Sequence, residues 1–191
     1  MIEELIREDL RAACKVLREG GVILYPTDTI WGLGCDATNE AAVKRIFDIK
    51  RRADSKAMLV LAGSEVQIER HVEQVPEVAW QLLEVADKPL TIIYPQARGV
   101  APSLVAEDGS IGIRLTHERF SNSLCMQLKR PIVSTSANFS GSPAPQSFGQ
   151  IDKQLLTCVD YVVKYRQNET AQATPSSIIK LGVGGEVEII R

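Results

Sequence analysis

The chain has 191 residues, 45% of them apolar, which is enough to bury one sizeable core, and a single domain over 1–191 is the expectation. With 22 Lys and Arg against 24 Asp and Glu the formal net charge is −2, which argues against a dedicated nucleic-acid coat or membrane-surface binder while leaving room for a local basic cleft. Four cysteines without C-x-x-C spacing and two histidines suggest neither a zinc site nor a disulfide framework. An acidic N-terminus, with no apolar run near the ~20 residues that span a bilayer, points to a cytosolic protein.

Leu10, Ala13, Cys14 and Leu17 fall at i, i+3, i+4 and i+7, and Gly20-Gly21 follows, so about Arg7 to Glu19 reads as an amphipathic helix with a glycine stop. Val22-Ile23-Leu24-Tyr25 reads as a buried strand that ends at Pro26 in a turn carrying Thr27, Asp28 and Thr29. A helix from near Asn39, with Ala42, Val43, Ile46 and Ile49 as its apolar stripe, runs into Lys50-Arg51-Arg52. Met58 to Leu61 is a strand, Ser64 with Gln67 opens a short helix as a capping box, Val75 to Ala86 forms another helix, and Leu90 to Tyr94 a strand. Ser110 to Arg114 is a strand, Ser123 to Leu128 continues a helix, and Ile132-Val133 leads into Ser134-Thr135-Ser136-Ala137-Asn138. Beyond the loop Gly141 to Pro145, Ser147 with Gln150 is expected to cap a helix and Tyr161 to Val163 to form a strand. Ser177 to Leu181 and Glu186 to Ile190 then flank a glycine-rich reversal as a hairpin. The order predicts an α/β domain built on a twisted mixed sheet, with sites at strand C-termini, where Pro26 to Thr29, Arg114 and Ser134 to Asn138 all fall.

Three hydroxyls and an amide within Ser134 to Asn138 form a dense set of hydrogen-bonding groups at a strand end. Lys50, Arg51 and Arg52 repel one another unless an anion joins them, which suits a nucleotide phosphate as well as it suits a helix C-terminus. Arg114 ends a strand of small and apolar residues and reads either as a carboxylate clamp or as an exposed edge arginine. Asp28 reads first as a turn residue satisfying its own backbone, and His71 and His117 as solvated residues. P-loop, Rossmann and nucleophile-elbow motifs are all missing, so a bound nucleotide would be held by another design.

Tyr25 to Gly34, Lys50-Arg51-Arg52, Pro89-Leu90-Thr91, the Ile111 to Arg114 strand, Ser134 to Asn138 and Pro175-Ser176-Ser177-Ile178-Ile179 together resemble, in order and spacing, the YrdC family of threonylcarbamoyl-adenylate synthases. The resemblance covers nearly the whole chain and implies the YrdC-like fold with a concave ligand cleft. It implies condensation of L-threonine, bicarbonate and ATP to threonylcarbamoyl-AMP and pyrophosphate, in the cytoplasm, for the t6A modification of tRNA, with a downstream t6A transferase complex as partner. It further implies Lys50 and Arg52 as the catalytic cations on the triphosphate, and Ser110, Ser136 and Asn138 on the nucleotide. Thr27, Arg114, Ser134 and a hydroxyl of Ser176 or Ser177 would hold threonine, with Mg2+ carried on the phosphates rather than by a carboxylate cage.

The chain departs from the family pattern at Trp31, where Tyr or Phe is frequent, in Ala53 to Ala57 after Arg52, where prolines are frequent and Lys56 is a candidate for an added phosphate contact, and at Ala86-Asp87-Lys88 before Pro89. The expectation is the short form of the family, without a second C-terminal domain. Two alternatives remain at this level: a double-stranded RNA-binding or ribosome-maturation module, and a synthase-inactive relative of the same fold. Lys50, Arg52, Ser136 and Asn138 argue against the latter, and the net charge against the former.

Overall fold

The computed structural model describes residues 2–51, 58–169 and 175–191. Helix α1 (Ile2–Arg18) carries Glu3 and Glu4 in its first turn and Lys15 and Arg18 in its last, each sign at the end of the helix dipole that favours it. It starts five residues earlier than its apolar stripe predicts, because Glu3 pairs with Arg119 and gives the polar first turns a tertiary anchor. Gly20, at φ 81°, reverses the chain into β1 (Ile23–Tyr25). Strand β2 (Gly32–Gly34) follows, then α2 (Glu40–Lys50), capped by Asn39 through the Ala42 N–H. Next come β3 (Leu59–Ala62), α3 (Glu65–His71), α4 (Glu77–Val85), β4 (Leu90–Tyr94), β5 (Ile111–Leu115) and α5 (Arg119–Leu128). The described chain closes with β6 (Ile132–Ser136), α6 (Lys153–Thr157), β7 (Tyr161–Val162), β8 (Ser177–Leu181) and β9 (Val187–Ile189).

Ser147 and Gln150 do not cap an α-helix. Residues Phe148–Gln150 make one 3-10 turn, the Gln150 side chain accepts from the Gln146 N–H, and the helix begins later, at Lys153, under an Asp152 cap. The Ser64 box is half formed, since Ser64 Oγ accepts from the Gln67 N–H while the Gln67 side chain turns to the Gly63 N–H and the Cys125 carbonyl. The terminal hairpin forms as expected, with Ile179 opposite Ile189 and Leu181 opposite Val187.

The strands join in the order β7-β1-β2-β6-β3-β5-β4-β8-β9, a mixed sheet as expected. β3 runs parallel to β5 but antiparallel to β6, so β5 and β6 point in opposite directions. One apolar cluster, with Val43, Ile46 and Phe47 of α2, Val60, Ile92, Ile113 and Val133, covers one face. The other, with Leu17 of α1, Phe120 and Leu124 of α5, Leu61 and Ile132, covers part of the opposite face. Alternation makes this division readable residue by residue: Val60 faces α2, whereas Leu61 and its β6 partner Ile132 face α5. One step along the same face, Leu59 pairs with Ser134, and there the helices give way to a cavity.

Candidate functional site

The cavity holds about 340 Å³. Its floor is the sheet face just described, with Leu59 of β3, Arg114 of β5 and Ser134 and Ser136 of β6. Thr29 to Gly32 form one wall, and Met58, Thr135, Ala144, Pro175, Ser176 and Arg191 complete the lining. Arg114 and the serines meet although their strands are antiparallel, so the rule that sites gather at one end of parallel strands does not explain the site. They meet because Leu61 stands between Arg114 and Ile132 in the sheet while Leu59 stands beside Ser134, which leaves the guanidinium one pleat away from the hydroxyls.

Gly32 faces Ser136 and lines the cavity, where a methyl group would come within 3.2 Å of the Thr135 carbonyl oxygen and 3.5 Å of Ser134 Oγ. Gly34 has a different task. Its missing side chain admits the ring of buried Tyr25, whose hydroxyl donates to the Val133 carbonyl at 3.1 Å and ties β1 across β2 to β6.

Arg114 is buried, 3% exposed, so the edge-arginine reading fails. Its Nη2 lies 3.0 Å from Asp28 Oδ1 and donates to Thr29 Oγ1 at 3.2 Å, while its Nε has no acceptor among the described residues. Asp28 is therefore more than a turn residue: it is the counter-ion of a buried guanidinium 86 positions along the chain. The contact is close in distance but out of line for a hydrogen bond, and burial pushes the Asp28 carboxyl above its ordinary range despite the cation beside it. Thr27 is engaged inside its own loop. Its Oγ1 donates to the Ile30 carbonyl at 2.7 Å and accepts from the Thr29 N–H at 3.1 Å, so Thr29 rather than Thr27 faces the cavity.

Of the two C-terminal serines, Ser176 lines the cavity, buried, with its hydroxyl 2.8 Å from Thr91 Oγ1, whereas Ser177 is exposed and bonds the Pro89 carbonyl through its N–H. Ser110 stands before β5, its hydroxyl given to Asp108 at 2.5 Å, and does not line this cavity. Lys180 and the Ser110 hydroxyl hold the Asp108 carboxyl well below the usual carboxylate range.

Lys50 differs most from its sequence reading. It closes α2, yet it is only 2% exposed. Its Nζ donates to the Ser136 carbonyl at 2.6 Å, the Asn138 carbonyl at 2.9 Å and Asn138 Oδ1 at 3.2 Å, and its own carbonyl accepts from the Ser140 N–H. It is a core lysine that pins the segment Ser136 to Ser140 to α2. Ser136 Oγ donates to Asn138 Oδ1 at 2.5 Å and Asn138 Nδ2 to the Ser142 carbonyl at 2.5 Å. Asn138 also borders a second cavity, of about 450 Å³, walled by Phe139, Pro143, Ala144 and Pro145 and rimmed by Gln150 and Asp152. Ala144 belongs to both cavities. Arg51, left-handed at φ 53°, lays its guanidinium 5.0 Å from the Phe139 ring centre. Arg52 and Lys56 lie outside the described residues.

Sequence reasoning named Thr29 only as part of the Pro26 to Thr29 turn and passed over Arg191. Arg191 follows β9, and its Nε and Nη2 donate to the Ser176 carbonyl at 3.2 and 3.0 Å, placing a second guanidinium on the cavity wall. The predicted pairing of the terminal hairpin was the signal that could have found it, since it brings position 191 back beside the Ser176 strand. Among the described residues no three His, Cys, Asp or Glu converge as a metal site, and no helix is long and apolar enough to cross a membrane. All four cysteines are free.

The Sua5/YciO/YrdC family model, described as "Telomere recombination", matches residues 15–191. A protein of Xanthomonas euvesicatoria pv. vesicatoria named threonylcarbamoyl-AMP synthase is 36% identical over 169 residues, covering 87% of this chain and 90% of its own. A protein of Stenotrophomonas maltophilia with the same name is 35% identical over 170 residues, covering 87% and 91%. The crystal structure of P. abyssi Sua5 complexed with L-threonine superposes with a TM-score of 0.83 at 29% identity, over 90% of this chain, which spans 50% of that one.

Proposed function

This chain belongs to the Sua5/YciO/YrdC family, and we propose that it condenses L-threonine, bicarbonate and ATP to threonylcarbamoyl-AMP, pyrophosphate and water. The observation that carries this reading is the cavity itself: a buried guanidinium whose Nε has no acceptor among the described residues, beside a set of hydroxyls, sized for an amino acid and continuous in lining with a second, larger cavity. A carboxylate is the ligand group that best satisfies a buried arginine donor, so the threonine carboxylate belongs on Arg114, with Thr29, Ser134 and Ser176 around its amine and hydroxyl. Thr27 supports that wall from behind, and Ser177 presents only its backbone.

The carbamate that forms on the threonine amine must reach the α-phosphorus of ATP. Ser136 lines the first cavity and Asn138 the second, which suits a nucleotide lying across Ala144 with its reacting phosphate between them. Lys50 holds both residues through Nζ, and with Arg52 and Arg191 it supplies the positive charge on the triphosphate side. Ser110 would reach the nucleotide only from the start of β5. Mg2+ suits this reading as an ion carried on the phosphates, where it would offset their charge, because the described residues offer no cluster of carboxylates to hold it. The labile product is then consumed by a transferase that modifies tRNA.

Pyrophosphate release from ATP is the test. The purified protein is expected to release it only when L-threonine and bicarbonate are both present, with L-serine and L-valine as weak substitutes. Well-folded protein that releases none, or that binds duplex RNA with a steep salt dependence while ignoring ATP and threonine, would overturn the reading.

A further inference from the structure

Arg166 is one of four described non-glycine residues with positive φ, at 67°, a backbone state that L-residues disfavour and adopt where the surroundings impose it. Its half-buried side chain joins two distant pieces of the structure to its own turn. Nη1 donates to the Thr27 carbonyl at 3.0 Å and lies 3.4 Å from Glu118 Oε1, and Nε donates to Glu169 Oε2 at 2.7 Å. The first two partners support the walls of the threonine cavity. From Thr27 the bonds continue through its hydroxyl to the Thr29 N–H and side chain, and from Thr29 Oγ1 to Arg114. Glu118 caps α5 by accepting from the Phe120 and Ser121 N–H groups, and its own N–H is bonded to Thr116, two residues beyond Arg114. A small cleft between Arg166 and the loop, about 20 Å³, is bordered by Thr27, Thr29 and Trp31. Arg166 itself does not line the 340 Å³ cavity.

We propose that Arg166 is a positioning residue for threonine: from outside the cavity it sets the distance between the Thr27 to Thr29 loop and the Arg114 guanidinium. This rests on the function proposed above, and it deepens that function by naming what fixes the amino-acid half of the site independently of the nucleotide half. The nucleotide side is anchored elsewhere, through Lys50, Ser136 and Asn138, so the two halves can be perturbed separately.

The test compares Arg166→Ala and Arg166→Lys with the unsubstituted protein in steady-state pyrophosphate release and in hydrogen exchange of the amides in 27–31. Arg166→Ala is expected to raise the KM for L-threonine about 10- to 100-fold, with the KM for ATP changed less than about twofold. It is also expected to accelerate exchange at the Thr29 amide while leaving the β3 and β6 amides protected. Arg166→Lys, which keeps one donor for the Thr27 carbonyl, should recover part of the threonine affinity. Equal rises in both KM values, or an unchanged KM for threonine, would overturn the proposal, as would unaltered exchange at Thr29. The exchange readout needs no substrate. It judges whether Arg166 sets the loop even where the unsubstituted protein shows no threonine-dependent release, an outcome that sinks the function and the threonine part of this inference, whereas unaltered exchange at Thr29 sinks the positioning role itself.

Discussion

Asp28→Asn isolates the electrostatics of the buried pair. At 3.0 Å the gross attraction between Asp28 and Arg114 is about 5–6 kcal/mol at an effective dielectric of ~20. Removing one partner of a buried pair ordinarily costs about 3–5 kcal/mol. Here the Asp28 carboxyl is pushed up rather than down, which means that the cost of burying its charge exceeds what Arg114 returns. Asp28→Asn removes both terms together and keeps an oxygen beside Nη2, so the expected loss of stability at neutral pH is under about 1 kcal/mol, far below the usual cost. The sign of the pH dependence follows. A group whose folded pKa is raised contributes stability at low pH, where it is protonated in both states, and loses it as pH rises through the folded pKa. D28N should therefore gain relative to the unsubstituted protein as urea titrations move from acid to neutral pH. L-Threonine should bind D28N at least as tightly, because the ligand carboxylate no longer competes with Asp28 for the same guanidinium. A loss of about 3–5 kcal/mol at neutral pH, or tenfold weaker threonine binding by calorimetry, would refute this reasoning and make Asp28 an indispensable orienting group.

Lys50→Met should lower both stability and activity, because the Ser136 and Asn138 acceptors lose their common donor at about 1–3 kcal/mol for an acceptor left unsatisfied. A rise in the KM for ATP together with a lower Tm is expected, and an unchanged Tm would count against the pinning role. Gly34→Ala would bring a methyl within 2.5 Å of the Tyr25 ring and 2.8 Å of the Val133 carbonyl oxygen, and should cost about 1–3 kcal/mol in denaturant titration. Gly32→Ala, with more room, should cost less stability and show itself in the KM for threonine; the reverse order would contradict the assigned roles.

Most of the elements were legible because their residues obey local rules: the α2 stripe with its Asn39 cap, the short buried strands, the terminal hairpin. Strand β2 was not, since Gly-Leu-Gly has no β-branched residue and is a strand only because β1 and β6 bond it from both sides. The same distinction divides the site. The residues around Ser134 announced themselves by composition and Ser176 only through the family resemblance, and both serines line the cavity. The meaning of Asp28 and Lys50 depended on partners about 86 residues away, Arg114 in one case and Ser136 in the other, and a local reading gave Asp28 turn duty and left Lys50 between a helix end and a bound phosphate. The antiparallel relation of β5 to β6 could not be read from the order of elements, which is why the expected gathering at strand C-termini named useful residues for a reason the structure does not share.

The strand order has a consequence for biosynthesis. β6 enters the sheet between β2 and β3, and β8 lies beside β4, so the floor and far wall of the cavity are filled by segments that emerge long after the strands they join. Contacts of such wide separation are slow to form, because the entropy of closing long loops is spent before they stabilise anything. A growing chain that has delivered Thr29 and even Arg114 still lacks Ser134 and Ser176, and any early encounter with an amino acid or nucleotide finds half a pocket. A filled cavity therefore requires that β2, β3, β5 and β6 are already paired and that the segment leading into β8 has come back to them.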